Sequence, residues 1–267
     1  MPIQITTEQI KELRDATGIS VMQCKYALEE AEGDMKKALA ILKKTSSDIA
    51  LKKVNREVKD GAVMIQIKDN GHNKKAVLVS LLCETDFVGR NEDFTTLLQN
   101  LTEKALALGI EEMQKEAKNM INPVIQKTGE NIQLGETYEI EGDILGSYVH
   151  NNKIAVLVSL EGGNGELAKD IAMHIAAMKP EYIREDEISD DSRKTITEVF
   201  QKEVAGIDKI PEIKKKMLDG KISTYFKEKT LLSQPFIKNA NNNTSETVGE
   251  LLEKHKAKIK EVKRYSI

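Results

Sequence analysis

Six residues occur twice in this chain of 267, as Ala76-Val-Leu-Val-Ser-Leu81 and again as Ala155-Val-Leu-Val-Ser-Leu160. Each copy closes a longer echo, Gly61 to Leu81 and Gly142 to Leu160. Within each echo an apolar run, a polar Asn-rich turn and a second apolar run follow one another, the pattern of a β-hairpin. A helical period comes next: Phe94, Leu97, Leu98, Leu101, Ala105 and Leu108 after the first copy, then Leu167, Ile171, Ile175 and Met178 after the second. A chain that repeats hairpin and helix is constrained to an α+β core of two related halves. Each half is a small antiparallel sheet covered by helices on one face. Residues 56–140 are assigned to the first half, and residues 141–185 with 230–267 to the second.

The flanking segments have other periods. Residues 1–55 read as a three-helix bundle. Thr6 with Gln9 and Ser20 with Gln23 have capping-box spacing, Gly33 ends the second helix and Asp34 caps the third. Val21, Cys24, Leu28 and Ala31 form the apolar stripe of helix two, matched by Met35, Ala38, Leu39 and Leu42 on helix three. Met22 and Lys25 fall one step off that stripe, at its rim. The charged stretch Lys52 to Asp60 reads as a linker or linking helix. A further helix is expected over Lys118–Lys127 with Pro123 near its start, before a strand through Tyr138 and Ile140. Residues 186–229 carry two narrow stripes, Ile196, Val199, Phe200 and Val204, then Ile213, Met217, Tyr225 and Phe226. Gly206 separates them and Pro211 opens the second, so this is an inserted coiled-coil-like helical hairpin. After Leu231–Lys238 and an Asn-rich loop, a last helix from about Glu246 and an edge strand from Ile259 to Tyr265 complete the second half.

Composition excludes several functions. The net charge of −3 gives no global attraction to nucleic acid. The basic run Lys254 to Arg264 lacks interleaved aromatics and reads as a solvated edge whose lysines discourage strand pairing. No apolar run approaches the roughly 20 residues that span a bilayer, and the N-terminus lacks the blocks of a signal peptide. Cys24 and Cys83 have neither metal-ligand spacing nor a neighbouring base, as expected of a reduced, cytoplasmic protein. There is no phosphate-loop motif, and Gly162-Gly-Asn-Gly165 reads as a turn. His174 has no Glu-x-x-His partner, so a satisfied core or interface histidine is expected, while His150 falls in an exposed hairpin turn. No catalytic set emerges, so the chain is expected to be neither an enzyme nor a cofactor or metal binder. One junction stands out, where the first repeat leaves its sheet at Cys83-Glu-Thr-Asp86-Phe87-Val88 and a helix begins near Asn91. Asp86 could cap that helix with Phe87 packed beneath it, or the loop could carry both outward as functional side chains.

Several segments together carry a family resemblance. Leu13-Arg-Asp-Ala-Thr-Gly-Ile-Ser-Val-Met-Gln-Cys-Lys-Tyr-Ala-Leu28 with Gly33-Asp34 resembles the ubiquitin-associated-type domain that opens bacterial elongation factor Ts. Thr85-Asp-Phe-Val88 resembles that family's signature. Gly129-Glu-Asn131, Glu141 to His150, Ile171 to Pro180 and Leu232-Ser-Gln-Pro-Phe-Ile237 follow in family order. The resemblance spans nearly the whole chain. It implies a guanine-nucleotide exchange factor for elongation factor Tu, the GTPase that delivers aminoacyl-tRNA. By matched positions it implies that Arg14, Met22 and Lys25 dock on the nucleotide-binding domain. Thr85, Asp86, Phe87 and Val88 would act near the magnesium and phosphate site, and Gly129, His150 and Ile237 would make further contacts. It also moves Phe87 from the core to the interface. It implies no cofactor, nucleic acid or membrane, and leaves open a homodimer or a heterotetramer with elongation factor Tu.

Two departures accompany the match. Many relatives have Met-Met where this chain has Val21-Met22, and no contact is carried onto Val21. Longer members continue past the last strand into a C-terminal module that is expected to be missing after Ile267. The competing reading is a protein-binding adaptor without exchange activity, which leaves the repeated core and the Asp86-Phe87 junction unexplained.

Overall fold

A computed structural model describes residues 5–71, 73–238 and 246–267. The repeat becomes two three-stranded antiparallel sheets. The first is β1 (Asp60–Asp69), β2 (Lys74–Cys83) and β3 (Ile132–Gly142); the second is β4 (Ile144–His150), β5 (Ile154–Glu161) and β6 (Lys258–Ser266). The identical hexapeptides are the central strands β2 and β5, which explains why they are apolar at successive positions. Val77, Val79 and Leu81, like Val156, Val158 and Leu160, face helices. Ala76 and Leu78 meet Ala155 and Leu157 in an apolar layer between the two sheets. Helices thus cover one face of each sheet, and the sister sheet covers the other.

Ser80 and Ser159 sit at corresponding breaks of register, between Val79 and Leu81 and between Ser159 and Leu160. Ser80 Oγ donates to the Glu136 carbonyl at 2.9 Å. Ser159 is equally buried, but among the described residues its hydroxyl has no hydrogen-bond partner. The relation between the halves is therefore close in backbone and looser in side-chain chemistry.

The N-terminal bundle is α1 (Thr7–Thr17), α2 (Val21–Glu30) and α3 (Met35–Lys53). Thr6 forms the full capping box, Asp34 accepts from Lys36 N and Lys37 N, and Gly33 has a left-handed φ of 81°. The Ser20 box is only half made. Ser20 accepts from Gln23 N, but the Gln23 side chain turns away to accept from Gln126 Nε2 at 2.9 Å. Two stripe positions are also corrected. Val21 lies in the first turn of α2 and is 45% exposed, its expected place being filled by Ile19; Leu39 is exposed because Ala27, Ala31 and Ala38 let the helices close without it. The linking helix is α3 itself, whose Ile49 and Ala50 reach the first core half.

α5 (Glu92–Leu108) and α6 (Ile110–Thr128) cover the first sheet. α6 begins eight residues before the expected start, so Pro123 lies well inside it. Lys104 pairs with Glu116 across the two helices. α7 (Gly165–Met178) and α10 (Val248–Lys254) cover the second sheet. Leu108 and Met178 are the last residues of their helices and remain exposed, against the expectation that they pack with the stripe. α7 lies close over β4 at Gly146, where a Cβ would run into the backbone of Ala168 and Lys169.

The inserted hairpin is α8 (Asp190–Ala205) and α9 (Pro211–Lys229). Its seam is the aromatic run Phe200, Tyr225 and Phe226, with centroids 5.8 and 5.3 Å apart. Arg193, Lys221 and Lys229 lie over these rings. Two helices cannot cover a whole stripe, so Val199 and Ile213 stay exposed against expectation. Gly206 ends α8 in a right-handed conformation (φ −75°), so its glycine is not required by the backbone there. β6 is an edge strand, as its lysine pattern suggests. The expected Asn-rich loop, Asn239 to Ser245, lies outside the described residues.

A candidate partner interface

β2 ends at Cys83, and the chain turns at once into a one-turn helix, α4 (Asp86–Gly89). Thr85 caps it, accepting from Val88 N, while its hydroxyl donates to Glu130 Oε1 at 2.7 Å. Glu130 Oε2 accepts from Glu84 N (3.1 Å) and Thr85 N (3.0 Å). In return, Glu84 Oε1 accepts from Asn131 N at 2.6 Å. Two carboxylates are thus exchanged between the turn and the loop that follows α6. Gly129 caps α6 at φ 76°, and its carbonyl accepts from Lys53 Nζ. Buried Asn131 donates to the carbonyls of Val54 (3.4 Å) and Arg56 (2.7 Å), which brings the bundle's linker into the same network.

On this tied base Phe87 is 83% exposed. Of the two readings of the junction, packing beneath the next helix is excluded. That helix is capped by Asn91, whose side chain accepts from Asp93 N. Asp86 pairs with Arg90 at 3.1 Å on the surface. Val88 is half-buried against the first-half core, and Gly89 is buried. The turn therefore has a half-buried side chain packed on the core, Val88, beside one left almost wholly exposed, Phe87.

Cys83 is buried beneath the turn, with Sγ donating to the Thr85 carbonyl at 3.1 Å. Burial first, then the nearby charges of Asp60 and Glu130, push its thiol up to about 12. A thiol reagent at pH 8 is expected to leave Cys83 unmodified in the folded chain and to modify it after denaturation. Rapid native labelling would contradict this burial.

His150 ends β4 at a turn made by Asn151 and Asn152, both left-handed (φ 50° and 55°). Its ring stacks on Tyr148, with the Tyr148 hydroxyl 3.1 Å from Nδ1. The turn docks on the first half: Val63 N donates to the Asn152 carbonyl at 2.8 Å, and Lys153 Nζ pairs with Asp60. Asp60 is paired with Cys83 in the β1–β2 ladder, so the His150 turn is anchored beside the base of the Phe87 turn. Burial opposes the Asp60 charge, and the Lys153 ammonium and Gly61 N–H outweigh it, holding the carboxyl below the usual range.

The bundle reaches this region through Gln23–Gln126 and through Gly18, against which the Lys127 side chain packs. Arg14, Met22 and Lys25 are exposed, with Val21 and Tyr26 exposed beside Met22 and Lys25 ion-paired to Glu29 at 3.7 Å. The structure thus connects Thr85–Val88, Gly129, His150 and the bundle. Ile237 belongs to a separate surface segment held by α7. Sequence reasoning missed Glu130, Asp60 and Lys153 as the ties. Glu130 lies in the Gly129-Glu-Asn131 motif and was legible as a neighbour; nothing in the spacing marks Asp60 and Lys153. Among the described residues no group of three or more His, Cys, Asp or Glu is placed to hold a metal ion, and no helix is long and apolar enough to cross a membrane.

A family model described as Elongation factor TS matches residues 84–267, beginning at the first residue of the Phe87 turn. The elongation factor Ts of Hahella chejuensis is 39% identical over 268 residues, covering 98% of this chain and 92% of that protein. That of Thioalkalivibrio sulfidiphilus is 37% identical over 98% of this chain and 92% of its own length. That of Alcanivorax borkumensis is 36% identical over 96% of this chain and 91% of its own length. With its two-sheet core and exposed turn in place, the chain belongs to the elongation factor Ts family.

Proposed function

We propose that this chain is a cytoplasmic guanine-nucleotide exchange factor that binds elongation factor Tu with GDP bound and drives GDP release. The observation that carries the reading is Phe87, 83% exposed on a turn whose neighbours are all internally tied. A free aromatic at that exposure is worth roughly 1.5–3 kcal/mol once buried in a partner. If the cleft that receives it exists only when the magnesium and phosphate loop of the GTPase is displaced, that energy lowers GDP affinity. Asp86, already paired with Arg90, would re-partner in the polar network around that site. Arg14, Met22 and Lys25 would dock the nucleotide-binding domain, while Gly129, His150 and Ile237 extend the contact. No bond is made or broken, so the factor acts by coupling, without a catalytic residue, cofactor, nucleic acid or membrane.

Coupling is reciprocal: GTP or GDP entering the GTPase expels the factor by the same ratio by which the factor expels nucleotide. The test is release of a fluorescent GDP analogue from elongation factor Tu, with and without this chain. Acceleration supports exchange; binding without acceleration supports the adaptor.

The same geometry makes Glu130 a support for exchange without itself touching the partner. Glu130→Gln keeps the shape but removes the charge that accepts from Thr85 N, Thr85 Oγ1 and Glu84 N. Hydrogen bonds to a charged group contribute about 1.5–3 kcal/mol, so a several-fold slower GDP release and a melting temperature lowered by a few degrees are expected. Unchanged release in this variant would mean that the turn does not need its tie.

A further inference from the structure

We infer that His174 is a positioning residue for partner binding: its Nδ1 holds the Ile237 backbone and thereby sets the exposed Ile237 side chain. The inference rests on the reading of Ile237 as a contact with elongation factor Tu.

His174 lies fully buried on α7, and its tautomer is fixed by its neighbours. Gln234 Nε2 donates to the Glu228 carbonyl at 2.6 Å, which turns Gln234 Oε1 toward the ring, 2.9 Å from His174 Nε2. An amide oxygen only accepts, so Nε2 carries the hydrogen and Nδ1 keeps its lone pair. That lone pair accepts from Ile237 N at 3.2 Å. Phe236 packs on the ring with centroids 5.8 Å apart, and Phe236 N donates to the Glu246 carbonyl at 2.9 Å. The stretch is thus pinned up to Phe236; at the exposed Ile237 the backbone N–H is held by His174, while the next residue, Lys238, reaches Asp170 only through its long side chain.

A proton on Nδ1 would set a donor against the Ile237 N–H, and the segment would have to move. Burial holds the ring neutral and its pKa below the ordinary value, with the Gln234 bond opposing. Two of the carboxylates on the surrounding elements are ion-paired. Asp170, one turn back on α7, pairs with Lys238 at 2.5 Å, Glu246 with Lys254 at 3.6 Å, and the Glu228 carbonyl accepts from Gln234. Because the folded pKa is depressed, unfolding takes up a proton between that pKa and about 6.5. The contribution is complete above that range and is lost as pH falls through it.

Two substitutions separate the two ring nitrogens. His174→Asn places an amide oxygen near the Nδ1 position, so it holds Ile237 and does not titrate. His174→Gln reaches the Nε2 position, so it keeps Gln234 and releases Ile237. Affinity for nucleotide-free elongation factor Tu is measured at about pH 7.5 and about pH 5.5. The Gln variant is expected to bind about tenfold more weakly at the higher pH, the Asn variant nearly as wild type. Wild type is expected to lose more affinity than the Asn variant at the lower pH, by less than about tenfold, because the buried ring titrates below its ordinary value. A Gln variant that binds as wild type, or an Asn variant that binds as weakly as the Gln variant, would overturn the inference. Failure of the folded wild type to bind at all would overturn the exchange reading and this inference with it. In the wild-type chain alone, the Ile237 amide resonance is expected to titrate together with the His174 ring, and an Ile237 amide that ignores the ring's titration overturns the inference independently of any variant.

Discussion

Phe87→Ala is expected to slow factor-driven GDP release from elongation factor Tu by about 10–100-fold, the equivalent of losing roughly 1.5–3 kcal/mol of burial in the partner. The melting temperature of the variant should stay within about 2 °C of wild type, because an 83% exposed ring has little packing to lose. The combination matters more than either number. A buried aromatic cut to Ala costs about 3–5 kcal/mol of stability, so a low melting temperature would return Phe87 to the core. Stopped-flow fluorescence and a thermal melt on the same preparation decide between the two. An unchanged release rate in a stable variant would remove Phe87 from the mechanism and leave Asp86 and the bundle to carry it.

The largest effect on the fold itself is expected at Gly146. There α7 crosses β4 so closely that an added Cβ would collide with the backbone of Ala168 and Lys169. No rotamer relieves a clash with main chain, so the helix must lift from the sheet. Gly146→Ala is expected to cost about 3 kcal/mol or more, lowering the melting temperature by roughly 6–12 °C. Gly220→Ala on α9 is the control, since nothing lies near its added Cβ and Ala favours a helix. A Gly146→Ala chain melting with wild type would mean that α7 does not pack as closely as described.

Much of the fold was legible because the hexapeptide announced it. An apolar run with no alternation demands cover on both faces, and the helical stripes after each hairpin supplied one cover. The second cover, sheet on sheet through Leu78 and Leu157, was not legible, because nothing in a repeat says that its copies face each other. Helix ends misled for a simple reason. Leu108 and Met178 keep the period of their helices but end them and stay exposed, and periodicity does not know where the partner surface stops. The start of α6 is not legible because Pro123 reads as a first-turn signal, whereas the helix tolerates it in its interior.

At the interface, the sequence locates the junction, and its spacing alone leaves Phe87 between core and surface. The backbone resolves it: Thr85 and Asn91 cap two successive helices, so Phe87 has no helix to pack under. What joins the turn to its surroundings lies far along the chain. Glu130 is 45 residues from Thr85 and Lys153 is 93 from Asp60, separations at which no local pattern survives. These ties are products of topology, formed when β3 closes the first sheet and the β4–β5 turn docks on β1.

The most direct test of exchange by coupling is the affinity of this chain for elongation factor Tu in two states, nucleotide-free and GDP-loaded. A factor that expels GDP must bind the nucleotide-free state more tightly by the same ratio by which it weakens GDP. A preference of about 100-fold or more, largely abolished by Phe87→Ala, is the expected result. Equal affinity for the two states would contradict it, since a ligand that does not distinguish two states shifts neither.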